Sequence, residues 1–431
     1  MIKVNIFTKV LSFILFMGLG NSLAIAQSEG GNLSLEDCYT LARSNYPLIK
    51  QQNLLSSTNE FSLDNAQKAD LPQLSVAGQA THQSDVTSMP IKLPNMDIPS
   101  ISKSQYKVYA ELSQSLTGLM NLNDQRENLN ANSAVENQKV EVEMYKLKER
   151  INNLFFSILL LDRQKEQINL SVQDLRSGIE KMETAVANGV ALRSSASNLK
   201  AEKLKAEQRI TELDFNKKAY LEVLGVMIGQ KLGPDTKLQT PAALQWNNEI
   251  HRPEQTLFSL QRKSLDIQNK LIDNKSLPQF SLFVQAGVGQ PALNMLNPET
   301  QGFYIAGLRL GWNLNSFYTQ KNEKNIIKNN QRLLDVQEET FLFNTKMSLT
   351  QQQTELSKFQ ELLKTDQEII ELREQVKNST LNQLNYGTAS SNDYLISVNV
   401  VEQAKQNLAL HEVQLLMAQY NLQTTSGKAE N

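Results

Sequence analysis

Residues 45–75 read NYPLIKQQNLLSSTNEFSLDNAQKADLPQLS, and residues 251–281 read HRPEQTLFSLQRKSLDIQNKLIDNKSLPQFS. The second stretch is a rewriting of the first. Pro47 is answered by Pro253, and Leu71-Pro72-Gln73-Leu74-Ser75 by Leu277-Pro278-Gln279-Phe280-Ser281, both at an interval of 206 positions, so the segment aligns without a gap. Farther on, Asn188-Gly189 is answered by Tyr386-Gly387, and the segment ending LEVLGVMIG at 229 by one ending YNLQTTSG at 427, now at an interval of 198. The first copy thus carries about eight more residues between its landmarks. Most of them belong in the loop HQSDVTSMPIKLPNMDIPSISKSQ, where Pro90, Pro94 and Pro99 exclude helix and central strand. Self-similarity of this kind comes before any local reading, because it fixes what the local reading must explain twice.

Within one unit the hydrophobic period changes twice. Ser34, with Asp37 three residues on, forms an acidic variant of a capping box, and predicts a helix that runs from there to Pro72. Beyond Pro72 the period is two. Leu74, Val76, Gly78 and Ala80 alternate with Ser75, Ala77 and Gln79, and after the prolyl loop Tyr106, Val108, Ala110 and Leu112 alternate with Lys107, Tyr109, Glu111 and Ser113. In the second unit Phe280, Leu282, Val284 and Ala286 alternate in the same way, and Tyr304, Ala306, Leu308, Leu310, Trp312 and Leu314 return. Strands of about ten residues are the length that crosses a bilayer when tilted. Tyr106, Phe303, Tyr304, Trp312, Phe317 and Tyr318 near their ends suit an interfacial girdle. Taken alone, these segments fit a soluble β-hairpin equally well.

The helices that follow decide between the two. Val140, Met144, Leu147, Ile151, Leu154, Ile158, Leu161, Lys165, Ile168, Val172, Leu175, Ile179, Met182 and Val186 step by alternating fours and threes, and only Lys165 is not apolar. That is a coiled-coil seam, on a helix read from about Asn121 to Ala187 and on the order of 100 Å long at 1.5 Å per residue. Lys165 is expected to snorkel or to meet a carboxylate of a partner helix. Asn188-Gly189 ends the helix, and a second one returns. The copy runs from about Gln320 to Leu384, turns at Asn385-Tyr386-Gly387, and returns with a seam at Val401, Ala404, Leu408, His411, Leu415, Ala418 and Leu422. Its outgoing helix keeps a poorer register. His411 is expected to be a satisfied packing residue.

The rest of the sequence mostly excludes. MIKVNIFTKVLSFILFMGLGNSLAIAQ has Lys3 and Lys9, an apolar run and a small-x-small site at Ala24-Ile25-Ala26, which predicts a signal peptide over 1–26 and a mature start near Gln27. No later stretch reaches the ~18 apolar residues of a membrane helix, so entry into a membrane would be by strands. With 43 basic against 45 acidic residues there is no bulk charge to attract nucleic acid. Cys38 is alone, which rules out an intrachain disulfide, and is expected to be a small, partly buried helix residue. His82, His251 and His411 are scattered, and there is no HExxH, CxxC, GxSxG, phosphate-binding P-loop or dinucleotide fingerprint. No catalytic residue, metal site or cofactor is expected, so the chain is not read as an enzyme.

Four lipid-facing strands leave open edges whose unpaired backbone groups cost several kcal/mol each in hydrocarbon, so such a chain must oligomerise. Three copies give twelve strands, an allowed even number. At this point the residues carry a likeness: LSLEDCYTLARSNYP, the paired LPQLS and LPQFS junctions, the long helices, and the turns NGVALRSSASN and NYGTASSNDYL resemble the outer membrane efflux protein family, of which TolC is the namesake. The similarity spans nearly everything from Leu33 to Gly427 and rests on the order and duplication of the motifs.

The resemblance implies a mainly α, internally duplicated TolC-like fold: a homotrimer with a twelve-stranded barrel in the lipid of the cell outer membrane, continued by a long helical tunnel through the periplasm. In chain order this gives a signal peptide at 1–26 and a first repeat at 27–232, with its β-hairpin at about 73–114 and its helical hairpin at about 119–228. A linker at 233–252 leads to a second repeat at 253–427, with hairpins at about 279–315 and 320–426, and a tail at 428–431. Pro72 and Pro278 would lie where helix becomes strand. Asn188, Gly189, Arg193, Tyr386, Gly387 and Asp393 would form the periplasmic tip, where a periplasmic adaptor (membrane fusion) protein docks and ties the duct to an inner-membrane pump of RND or ABC type. The best-known members close this tip with a Tyr, Arg and Asp network around the second turn and an acidic position after the first. Here Asp393 matches the aspartate, while the arginine position falls at Ala389 and the acidic one at Ser195, so Asp393 and Arg193 are expected to make a different tip contact.

The function implied is a passive efflux duct. The outer component of a type I protein secretion system shares its architecture, and a soluble periplasmic coiled-coil scaffold would explain the heptads but not the paired alternating segments.

Overall fold

The computed structural model describes residues 32–87, 101–244, 249–295 and 297–427. The signal segment, the three prolines of the long hairpin loop and the tail at 428–431 lie outside them. The chain opens with α1 (Leu35–Asn45), whose capping box is formed as the sequence predicts: Asp37 N–H donates to Ser34 Oγ at 3.1 Å and Ser34 N–H to Asp37 Oδ2 at 3.2 Å. The helix does not run on to Pro72. It stops before Pro47, which lacks an N–H and clashes with the preceding turn; a single 3-10 turn (Pro47–Ile49) bends the chain into α2 (Lys50–Ala69).

Four strands follow the predicted alternation: β1 (Gln73–His82), β2 (Ser104–Ser115), β3 (Gln279–Gln290) and β4 (Gln301–Gly311). They form one antiparallel sheet in the order β1-β2-β3-β4, so β1 and β4 are its open edges. Register puts like with like. Leu74 faces Leu112, Leu112 faces Val284, and Val284 faces Ala306, all on one face. The other face carries Glu111 opposite Gln285, and Ser281 opposite Arg309.

The helices between and after the strands are α3 (Leu116–Tyr145), α4 (Leu147–Ala187), α5 (Arg193–Ile228), α6 (Pro253–Asn274), α7 (Ser316–Asn385) and α8 (Ser391–Ser426). The first outgoing helix, expected in one piece, is interrupted for one residue at Lys146, which keeps right-handed dihedrals. The second is a single 70-residue helix, roughly 105 Å long at 1.5 Å per residue. The returning helices are half that length, and α2 and α6 supply the missing neighbours. Nearer the sheet the row is α2, α3, α6, α7; farther away it is α5, α4, α8, α7. Each level therefore has four helical segments.

The seam of α4 packs as its spacing predicts, with Ile158, Ile168 and Leu175 almost wholly covered and Lys165 meeting Asp214 of α5 at 2.6 Å. The second seam is different. The covered positions of α7 (Ile327, Leu334, Thr345, Leu349, Leu356, Phe359, Asp366, Ile370, Lys377) form a thin stripe with polar members, which is why its register reads poorly. Helix α8 packs on both α7 and α4. It therefore carries a second stripe, through Tyr394, Val398 and Val413, beside the one expected from its sequence.

The main core lies at mid-length, where α1 packs against α4 and α5 around Leu35, Cys38, Ala42, Phe155, Phe156, Leu221 and Leu224. Each large side chain buried there stabilises by about 1.5–3 kcal/mol. Cys38 is more deeply placed than expected: it is fully buried, and burial pushes its thiol up to about 12. Asn152 is buried as well, and is satisfied by accepting from the Tyr39 hydroxyl and donating to Asn421 at 3.1 Å and Thr424 at 3.2 Å, so one side chain ties α1, α4 and α8. The linker crosses this level, pairing in parallel with Leu33 through Leu33 N–H to Lys237 O and Gln239 N–H to Leu33 O, both 3.0 Å.

Candidate functional site

The two faces of the sheet differ in kind. Leu74, Val76, Leu112, Leu282, Val284, Val288, Leu308 and Leu310 stand on one face with roughly half or more of their surface open to solvent. Leaving such side chains in water forfeits about 1.5–3 kcal/mol apiece, so this face is built to be covered by something apolar. Tyr106, Tyr304 and, just past the strand, Trp312 belong to the same face, with Phe317 and Tyr318 exposed next to it. Phe303 does not. It is one residue out of step with Tyr304 and lies covered on the opposite face, a correction that follows from the period of two.

That opposite face is polar and partly covered. Arg309 donates to both carboxylate oxygens of Glu111, at 3.0 and 3.3 Å, while Gln285 donates to the same carboxylate. The guanidinium is held in place by the Phe283 ring, 4.6 Å from its centroid. Lys107 sits differently: its ammonium is 4.6 Å from the centroid of Phe303 and 5.1 Å from that of Tyr109. Among the described residues it makes no ion pair.

At the near end of the sheet, Pro72 and Pro278 are the residues immediately before β1 and β3. Proline disfavours helix in the residue before it and has no N–H to continue the ladder, so each marks the change of period. The second junction is clamped from α3: Thr117 donates to Pro278 O at 3.2 Å and accepts from Phe280 N–H at 2.9 Å.

At the far end both helical hairpins turn in the same way. Gly189 N–H bonds Val186 O at 3.1 Å and Val190 N–H bonds Ala185 O at 2.9 Å; Gly387 N–H bonds Leu384 O at 3.1 Å and Thr388 N–H bonds Gln383 O at 2.9 Å. These are two Schellman caps. Gly189 at φ +74° and Gly387 at φ +72° hold the left-handed position that a side chain would strain. Asn188 and Tyr386 are the C-cap residues, and Tyr386, Val190 and Leu192 are among the most exposed large side chains of the molecule.

The restarts after the turns are unlike. Ser390 caps α8 with a complete box, giving its N–H to Asp393 Oδ2 at 2.9 Å and its hydroxyl to the same oxygen at 2.7 Å. The Ser390 hydroxyl first and its N–H second hold the Asp393 carboxyl below its ordinary range. In α5 the N-cap is Leu192, without a side-chain bond, and the third residue is Ser195. Within the chain Asp393 and Arg193 do not pair with each other. The carboxylate faces its own helix start, and Arg193, the first residue of α5, makes no ion pair among the described residues.

A cluster above the tip was not found from the sequence. Lys377 of α7, nearly covered, reaches Asp174 of α4 at 2.8 Å and Glu374 at 2.9 Å, and Lys405 of α8 reaches Glu374 at 2.5 Å. Burial opposes the Lys377 ammonium, but bonds to Asp174 and Glu374 raise its pKa above the ordinary value. Burial would likewise raise Glu374, yet bonds from Lys405 and Lys377 hold it low. Close by, a Cβ at Gly178 would lie 2.8 Å from the Tyr394 ring, so the missing side chain is what lets α4 and α8 approach. Higher up, His411 of α8 meets Asp366 of α7 at 2.7 Å, the satisfied seam histidine that was expected. The only signal for Lys377 in the sequence is its place one heptad after the buried Ile370, a polar residue on an apolar stripe.

Among the described residues no group of three or more His, Cys, Asp or Glu side chains is set to hold a metal, and no described helix is long and apolar enough to cross a membrane. No protein-family model matches the chain. No curated protein matches it. Solved structures do. The outer membrane protein VceC from Vibrio cholerae is 14% identical with a TM-score of 0.67, covering 91% of this chain and 96% of its own. CusC, described for conformational changes accompanying folding and transmembrane channel formation, is 12% identical with a TM-score of 0.69, covering 94% and 96%. The MtrE outer membrane channel of Neisseria gonorrhoeae, in its open state, is 13% identical with a TM-score of 0.62, covering 91% and 88%. The fold is that of these three proteins.

Proposed function

We propose that this chain, which shares its fold with outer-membrane channels, is itself one third of such a channel: a TolC-like exit duct that passively conducts solutes out of the cell. The observation that carries this reading is the sheet, with one exposed apolar face, one polar face and two open edges of nearly equal length, 10 residues in β1 and 11 in β4. Pairing β1 of one copy with β4 of the next is a head-to-tail contact that closes into a ring. Three copies give twelve strands, with the apolar face to outer-membrane lipid and the polar face to a water-filled lumen. The helical rows beneath, four segments per copy, become a twelve-membered tunnel wall across the periplasm.

The tip turns are then the docking surface for a periplasmic adaptor. Val190, Leu192 and Tyr386 offer exposed apolar contacts there, flanked by Arg193. An inner-membrane pump, of RND or ABC type, supplies the energy. The Lys377 cluster takes the role expected of Asp393 and Arg193, because its Lys377–Asp174 pair is a charged contact that joins the two hairpins near the tip. Opening is a shift between closed and open conformers biased by the adaptor.

The test is fractionation with electrophoresis of unboiled protein. A heat-modifiable trimer in the outer membrane is expected, and a soluble periplasmic monomer would sink the proposal. Single-channel recording checks the gate: the Lys377→Met, Lys405→Met double variant is expected to conduct more often than wild type, and unchanged closure would remove the cluster from the gate.

A further inference from the structure

The polar face of the sheet carries three charged side chains on its strands, Lys107, Glu111 and Arg309. Two of them cancel, since Arg309 grips Glu111 through both carboxylate oxygens. Lys107 is left. Its neighbours are the rings of Phe303 and Tyr109, at 4.6 and 5.1 Å, which hold an ammonium by the negative faces of their π-systems without neutralising it. We propose that Lys107 is a selectivity-determining residue: resting on the duct reading above, three copies of it form a cationic ring inside the barrel that favours anionic solutes.

The ring works through charge and position. A circle of like charges lowers the energy of counter-ions in the pore and raises that of co-ions, and lysine rings serve anion-conducting pores for this reason. Lys107 lies opposite Gly289 on β3 and Gln79 on β1, so no anionic side chain directly across the strands neutralises it. Salt screens such a field over about 8 Å at physiological ionic strength, so the effect is strongest in dilute salt. The Glu111–Arg309 pair contributes little while intact, and removing the carboxylate would release a second positive charge per copy.

The experiment uses full-length trimer and two readouts. The first places the residue. Cys38 is buried with its thiol pushed up to about 12, so it stays silent to a charged, membrane-impermeant thiol reagent. In cells, the Lys107→Cys variant is expected to be labelled and the Val108→Cys variant, on the apolar face, to be protected. The second measures selectivity in planar bilayers under a dilute KCl gradient. Lys107→Glu is expected to lower the chloride-to-potassium permeability ratio by about twofold or more, Lys107→Gln by less, and Glu111→Gln to raise it. Labelling as expected with an unmoved ratio in Lys107→Glu overturns the selectivity role and leaves the duct standing. Labelling of Val108→Cys in place of Lys107→Cys, or no current through the trimer even when it also carries Lys377→Met and Lys405→Met, overturns the duct reading and this inference with it.

Discussion

The two helical hairpins begin from the same repeat and are held by different forces. In the first, the seam of α4 is apolar along almost its whole length, and its one charged member, Lys165, reaches solvent-side Asp214. In the second, the stripe of α7 is thin, and two of its covered positions are Asp366 and Lys377, answered from α8 and α4 by His411 and Asp174. Apolar packing does not depend on pH or on the screening of charge by salt, and loses energy smoothly with area. Paired charges depend on both partners being present and ionised. The duplication has thus produced a hairpin fixed by packing and one fixed by contacts that can be switched.

That contrast can be broken most directly by cutting side chains from each seam. Leu175→Ala, in the cluster with Leu199, Tyr394 and Val398, should cost about 2–5 kcal/mol. Leu356→Ala on α7, which packs in a smaller cluster with Phe359 and Ala418, should fall at the low end of that range, about 2 kcal/mol. Thermal denaturation of the purified protein would show the order, and equal shifts would mean that the second seam is as apolar in effect as the first.

Lys377→Met comes next. It keeps the stem and removes the charge, leaving Glu374 with Lys405 and Asp174 half in solvent, for a loss of about 1–2 kcal/mol. The same cluster gives the second hairpin its own pH profile. Glu374 has a folded pKa below its ordinary 4.5, so its contribution is present above that value and fades as pH falls through the lower folded one. Lys377 has a folded pKa above its ordinary 10.5, so its contribution is present below that value and fades as pH rises through the higher folded one. Hydrogen exchange around residues 370–405 should therefore be steady between these limits and quicken beyond them, once the intrinsic rate is removed. A matching change around 147–160, in the apolar core away from the cluster, would show that the difference between the hairpins is not electrostatic.

The smallest effects belong to the tips. Ser390→Ala removes the cap of α8 and should cost about 1 kcal/mol. Installing the missing box with Leu192→Ser and Ser195→Asp should stabilise the start of α5 by about 0.5–1 kcal/mol. Amide exchange at residues 193–197 would reveal slower opening in the second variant, and no slowing would mean that Leu192 already holds its helix start by other contacts.

Much of this was legible in advance because it is periodic. The alternation after Pro72 and Pro278 predicts four strands and their two faces, and the step of fours and threes from Val140 to Val186 predicts the packed side of α4. What escaped the sequence is what depends on a neighbour. The cap at Ser34 and the proline at 72 bracket one long helix, but Pro47 between them, without an N–H, divides it. The two-sided burial of α8 arises because it lies between α7 and α4, which one seam cannot express. Phe303 sits near a strand end with the girdle aromatics, but its parity assigns it to the other face. Lys377 and Asp174 are 203 positions apart, and no local pattern joins them.

The helix of 70 residues from Ser316 to Asn385 has no counterpart in the first half, where the outgoing path is interrupted at Lys146. It is therefore a stiff rod that begins five residues beyond β4 and ends at the Tyr386 turn. A pivot of roughly 5° at its middle would swing the end of a ~50 Å arm by about 4 Å. A push at the far turn would thus reach the foot of the sheet as leverage.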